Sequence, residues 1–140
     1  MTYASTFGII TRICALRGVD RPPHEQWNET FETFVAEARN GDPLVRGIFD
    51  RAGNALGTAI ANHVGIWDPG RVILLFPTPS IPEMIEAPFR AALQRNTFPA
   101  FANRVAIEFR VEEEARYTKG AAALVLEQLY RVGRNRAPAE

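Results

Sequence analysis

The chain is poor in the residues from which most sites are built. Its 140 residues include one cysteine, Cys14, and two histidines, His24 and His63. A lone thiol excludes an intrachain disulfide and a cysteine-rich zinc site, and it points to a reducing cytosol. Cys14 falls within an apolar helical pattern and reads as core packing. The histidines lie far apart, with no second ligand at metal spacing, so neither marks a metal site. His63 is expected inside a buried helix and His24 in a proline-bounded surface loop. Net charge is also missing, because 16 basic residues balance 16 acidic ones. That excludes the clustered positive excess of a domain that grips nucleic acid unaided, and Arg131, Arg134 and Arg136 read as a solvated tail. No apolar run approaches the ~18 residues of a membrane span, and the N-terminus lacks the basic start and apolar stretch of a signal peptide. A cytoplasmic protein without membrane contact is therefore expected. Phosphoryl transfer needs a backbone cradle for phosphates, an acid for magnesium and a base, yet no glycine-rich phosphate loop occurs. Glu112, Glu113 and Glu114, between Arg110 and Arg116, read as a solvated turn.

What is present is core material, 46% of it hydrophobic, enough for one domain. Tyr3, Phe7, Ile10, Cys14 and Arg17 recur every three or four residues, with Ile9, Ile13 and Leu16 widening the stripe. This predicts a helix over 3–17 that Gly18 stops. Trp27, Phe31, Phe34, Val35 and Ala38 form a second stripe ended by Asn40 and Gly41. Asp42 is placed to cap a third helix with Pro43 at its first position. That helix runs to about Trp67, with Leu44, Ile48, Ala52, Leu56, Ile60 and Val64 on its apolar face. Gly47, Gly53, Gly57 and Ala61 lower its intrinsic stability, which predicts close approach by another element.

Asp68-Pro69-Gly70 breaks this helix. Val72 to Phe76 then reads as a strand covered on both faces, stopped by Pro77-Thr78-Pro79. Ser80-Ile81-Pro82-Glu83 has capping-box spacing and opens a helix carrying Ile85, Phe89, Ala92 and Leu93. Val105, Ile107, Phe109 and Val111 alternate with Ala106, Glu108, Arg110 and Glu112, as in a strand with one wet face. A last helix over about 118–132 is expected to bury Ala121, Ala122, Leu124, Val125 and Leu129. Strand, helix, strand, helix predicts a parallel pair with a right-handed crossover. The expectation is a single α/β domain over 1–140, with a helical segment at 1–40, a core at 41–132 and a tail at 133–140.

Two blocks carry a family resemblance: GDPLVRGIFDRAGNALGTAIANHVGIWDPGR from Gly41 to Arg71, and RYTKGAAALVLEQL from Arg116 to Leu129. In this order and separation they resemble the carboxy-terminal part of the ROK family (repressors, open reading frames, sugar kinases), closest to its NagC/Mlc-type (NagC/XylR) transcriptional repressors. Asp68 stands where the family usually has Asn before Pro69. The resemblance implies the helix-rich C-terminal part of an actin-like ATPase (ribonuclease-H-like) lobe, with a short parallel β-α-β-α unit. It also implies that the sugar site, the catalytic aspartate, the first phosphate loop and the zinc cluster of the family lie upstream of these residues. No catalytic residue, metal ligand or cofactor is therefore expected here. The one nucleotide-site element that would fall in this chain is a glycine-rich turn after the Val72 strand. Phe76, Pro77, Thr78 and Pro79 stand there instead, adding bulk and removing a donor where bare backbone would approach adenosine.

The resemblance implies the effector-sensing and oligomerisation part of a sugar-responsive regulator that meets DNA only through a separate N-terminal domain. The alternatives are the end of an ROK sugar kinase, which transfers phosphate from ATP to a hexose, and a stand-alone oligomeric remnant. Apolar faces left uncovered predict a homo-oligomer, with contacts from Phe7, Ile10, Trp27, Phe31 and Phe34 or from the edge of the Val72 strand.

Overall fold

The computed structural model describes residues 5–99 and 104–111, and shows Ala123, Leu124 and Leu126 as helical. Helix α1 spans Thr6–Arg17. Ser5 caps it by accepting from the Gly8 N–H at 3.0 Å, and Gly18 ends it at φ 67°, the left-handed region where only glycine is at ease. A short 3-10 turn, His24–Gln26, leads into α2, Trp27–Arg39. The α2 stripe of Phe31, Phe34, Val35 and Ala38 is buried as the spacing predicts.

Helix α3 runs from Pro43 to Trp67. The Asp42 carboxylate accepts from the backbone N–H of Leu44 at 2.9 Å and of Val45 at 3.0 Å, satisfying two of the donors a helix start leaves orphaned. Asp68 closes the other end at φ 41°, its N–H bonded to the Val64 carbonyl. The buried face is Val45, Ile48, Phe49, Ala52, Gly53, Gly57, Ala61 and Val64. This corrects the sequence reading: Leu44 is exposed and Ile60 half-buried. A strict four-residue repeat drifts around a helix of 3.6 residues per turn, so the true stripe mixes steps of three and four. His63 lies off that stripe and is exposed, its Nδ1 2.9 Å from the Ala59 carbonyl oxygen.

Strand β1, Arg71–Phe76, pairs in parallel with β2, Ala106–Val111, setting Val72 beside Ile107, Leu74 beside Phe109 and Phe76 beside Val111. Between them runs α4, Ser80–Asn96, packed along α3. The two glycines of α3 that lie under α4 explain that closeness. A Cβ on Gly53 would stand 2.6 Å from the Ile85 carbonyl oxygen, and one on Gly57 would stand 2.9 Å from the Ala92 Cβ. Gly47 has nothing within 4 Å, so the expected close approach holds at two of the glycines and fails at that one.

One core joins α1, α2, α3, α4 and the inner face of the sheet. Burying Phe31, Phe49 and Phe89, all at or below 2% exposure, contributes about 1.5–3 kcal/mol each. The sheet departs from expectation in one respect. Val72, Leu74 and Phe76 face the helices, but Ile73 and Leu75 are exposed on the opposite face at 44% and 54%. Among the described residues the helices cover one face only. Leu124, expected to be buried, is 68% exposed. The expectations for Ala121, Ala122, Val125, Leu129, the Glu112–Glu114 run and the tail lie outside the described residues.

Candidate functional site

In open α/β sheets, ligands settle beyond the carboxyl ends of parallel strands. Here that end is made by Phe76 and Val111, by Pro77, Thr78 and Pro79, and by the first turn of α4. Phe76 does not project toward a ligand. It is 7% exposed and stacks on Phe109, ring centroids 5.6 Å apart and planes 7° from parallel. Phe89 meets Phe109 edge-on at 5.2 Å, and the Arg90 guanidinium lies 5.5 Å from the Phe109 ring. Both apolar partners of Phe109 therefore lie inside the fold. Pro77 and Pro79 are exposed, while the Thr78 Oγ1 is shielded from water and unpartnered among the described residues.

A helix start offers N–H groups and a positive dipole end to an anion, and at α4 two carboxylates gather beside that start without capping it. The expected capping box does not form, because Ser80 is already helical and makes no side-chain cap. Its hydroxyl donates instead to Glu32 of α2 at 2.9 Å. Glu83, the other half of the expected box, reaches Arg39 of α2, whose Nε donates to Glu83 Oε1 at 3.0 Å while Nη2 donates to the second oxygen. Pro82 contributes no N–H, and the Glu83 N–H makes only a long 3.5 Å bond to the Pro79 carbonyl. Two carboxylates, Glu32 and Glu83, thus stand beside the start of α4, Glu83 on the Arg39 guanidinium and Glu32 on the Ser80 hydroxyl. The hydrogen bonds from Arg39 hold the Glu83 carboxyl below its ordinary range, and the same bonds raise Arg39.

A second ion cluster ties the helices together. Arg17 donates to Glu37 at 2.7 Å and to Asp42 at 2.9 Å, and the Glu37 hydrogen bond raises its own pKa. Asp42 lies below the ordinary aspartate value, chiefly through the Val45 N–H, then through Leu44 and Arg17. These groups fasten α1 and α2 to the start of α3 and point to no ligand.

The residues expected at an interface divide. Ile10, Phe31 and Phe34 are 0%, 2% and 7% exposed, consumed by the packing of α1 on α2 and α3, so they are core residues and not contacts for another chain. Phe7, 41% exposed, and half-buried Trp27 stay near the surface. They pair with each other at 5.1 Å, while Arg21 lies 4.9 Å from the Phe7 ring and His24 packs on Trp27 at 4.5 Å. The spacing that revealed the stripe could not tell its buried rows from its outer one. Among the described residues no group of three or more His, Cys, Asp or Glu could hold a metal ion, and no helix is long and apolar enough to cross a membrane.

No protein-family model matches the chain, and no curated protein matches it. Solved structures do. One is a ROK family transcriptional regulator, a homolog of the E. coli MLC protein, with a TM-score of 0.58 and 19% identity, covering 77% of this chain and 28% of that one. Another is a protein designated a sugar kinase from Cytophaga hutchinsonii, with a TM-score of 0.57 and 16% identity, covering 68% of this chain and 32% of that one. At such identities the likeness is one of fold, and the chain spans less than a third of the length of either structure.

Proposed function

We propose, from a fold shared with a ROK family transcriptional regulator, that this chain is the carboxy-terminal part of an actin-like ROK lobe. Its work is regulatory assembly and effector sensing in a sugar-responsive regulator of the NagC/Mlc type, and not phosphoryl transfer. Contact with DNA belongs to a separate domain, and the effector sugar is held mostly by residues outside this chain.

The observation that carries the choice between regulator and kinase is the β1–α4 turn. Phe76 is drawn into the Phe109 stack, prolines stand at 77, 79 and 82, and Glu32 and Glu83 occupy the start of α4. A nucleotide would meet bulk, missing donors and negative charge at that turn. The kinase reading rests on the nearly equal likeness to the structure designated a sugar kinase.

Calorimetric titration with magnesium-ATP separates the two. No saturable heat is expected into the millimolar range, and a submillimolar saturable heat would overturn the regulator reading. The genomic DNA upstream of the Met1 codon gives an independent test. A continuous frame encoding a winged helix-turn-helix supports a regulator, and one encoding a phosphate loop supports a kinase.

A further inference from the structure

An asparagine followed by glycine is a chemically weak point, because the next amide nitrogen can attack the carboxamide and no side chain on that residue stands in the way. Of the chain's seven asparagines, Asn40 alone precedes a glycine. The fold sharpens the contrast. Asn54 Nδ2 donates to the Asp50 carbonyl while its Oδ1 accepts from Arg95, and Asn96 Nδ2 donates to the Ala92 carbonyl. Asn28 and Asn62 lie inside α2 and α3 and precede Glu29 and His63, whose side chains obstruct attack. Asn40 lies past the last residue of α2 and is exposed. Gly41 follows at φ 91°, and a Cβ there would meet nothing within 4 Å.

The same two residues join two helices. The Asp42 N–H donates to the Glu37 carbonyl at 3.0 Å and the Gly41 N–H to the Ala38 carbonyl at 3.1 Å, the paired bonds that close a helix on a left-handed glycine. Asp42 then caps α3 with its carboxylate, which also accepts from Arg17 of α1. Residues 40 and 41 therefore set where one aspartate meets three helices.

We infer that Asn40 is a site of spontaneous modification, deamidating through Gly41 to aspartate and isoaspartate and unlocking the α2–α3 joint. The reaction needs no part of the regulatory role proposed above. Ring closure requires the Asn40 ψ, 0° in the turn, to rotate until the Gly41 nitrogen meets Cγ. The two turn hydrogen bonds must open first, a local event at a helix end. Base takes the Gly41 amide proton, the nitrogen bonds to Asn40 Cγ, and the Cγ–Nδ2 bond breaks as ammonia leaves. Water then opens the cyclic imide. Attack at the former side-chain carbon gives aspartate; attack at the former backbone carbonyl carbon gives isoaspartate, whose main chain runs through Cβ and Cγ.

Either product puts a carboxylate at the C-terminal end of α2, where the helix dipole disfavours it. Isoaspartate also lengthens the main chain between Glu37 and Asp42, which breaks the paired bonds and draws Asp42 away from Leu44, Val45 and Arg17.

The test is to age the whole chain for weeks in warm, mildly alkaline buffer. Peptide mass mapping and isoaspartyl methyltransferase labelling locate the product, ion exchange separates the more acidic isoform, and urea unfolding measures it. Asn40 is expected to react before any other asparagine, with isoaspartate among the products, and the isoform to unfold at lower urea than fresh protein. Asn40→Gln, whose longer side chain closes a ring poorly, should age without that loss. Reaction at another asparagine first, with Asn40 intact, would overturn the site. An isoform modified at Asn40 with an unchanged midpoint, or an equal loss in aged Asn40→Gln, would overturn the unlocking of the joint.

Discussion

Gly57 lies directly beneath Ala92: a Cβ placed on the glycine would stand 2.9 Å from the alanine Cβ, closer than two carbon atoms can rest. Backbone of α4 around Phe89 and Leu93 closes the same spot, so no flexible side chain can yield. Gly57→Ala is therefore expected to destabilise by about 1–3 kcal/mol through overpacking, despite alanine's better helix propensity. Gly47→Ala, in open space, is expected to stabilise by roughly 0.5–1 kcal/mol. Urea unfolding of the two variants should move the midpoint in opposite directions; equal shifts would mean the helices are not in this close contact.

Phe31 packs edge-on to Phe49, ring centroids 5.7 Å apart, with both residues buried. Phe31→Ala is expected to cost about 3–5 kcal/mol, from lost transfer energy and the cavity left behind. The milder Phe31→Leu should lower the unfolding midpoint while leaving the sedimentation of the folded protein unchanged. Dissociation of a folded assembly by Phe31→Leu would return this residue to an interface.

The charge clusters make stability sensitive to acid. Asp42 and Glu83 both have folded pKa values below their ordinary ones, Asp42 chiefly through the Val45 N–H and Glu83 through Arg39. Their contribution is complete above the ordinary values of about 3.9 and 4.3 and is lost as pH falls through the lowered folded values. The urea midpoint should therefore drop on acidification below about pH 5. The double variant Asp42→Asn, Glu83→Gln should start lower at neutral pH and fall less. Parallel pH profiles for variant and wild type would show that these groups do not carry the effect.

Placing glycine in the β1–α4 turn separates the effect of bulk there from that of charge. Pro77→Gly with Pro79→Gly removes the prolines but leaves Glu32 on Ser80, Glu83 on Arg39, and Pro82 without a donor. No gain of magnesium-ATP binding is expected from the double substitution. Adding Glu32→Gln and Glu83→Gln removes both carboxylates; saturable ATP binding appearing before that step, with the prolines alone replaced, would locate the obstacle in the turn itself.

Much of this protein is legible in its residue order because the signals are local. Asp42 caps α3 and Gly18 ends α1 through hydrogen bonds and dihedral preferences that span a few residues. The alternation in β2 and the apolar run of β1 likewise placed two strands and their parallel pairing. For the candidate site, the sequence located the turn at Phe76 to Pro79 and showed that it carries no glycine. It did not reveal Glu32 beside it, since Glu32 and Ser80 are 48 residues apart in the chain.

Tertiary packing decided the rest. Ser80 and Glu83 have the spacing of a capping box, but α2 offered both a stronger partner than the helix end did. Ile10, Phe31 and Phe34 have the periodicity of an apolar face, and periodicity measures only how residues line up along one helix. Whether that face meets this chain or another depends on what lies opposite. Here α1, α2 and α3 close on those three side chains, while Ile73 and Leu75, no more hydrophobic in sequence, lie on the sheet face that no helix covers among the described residues.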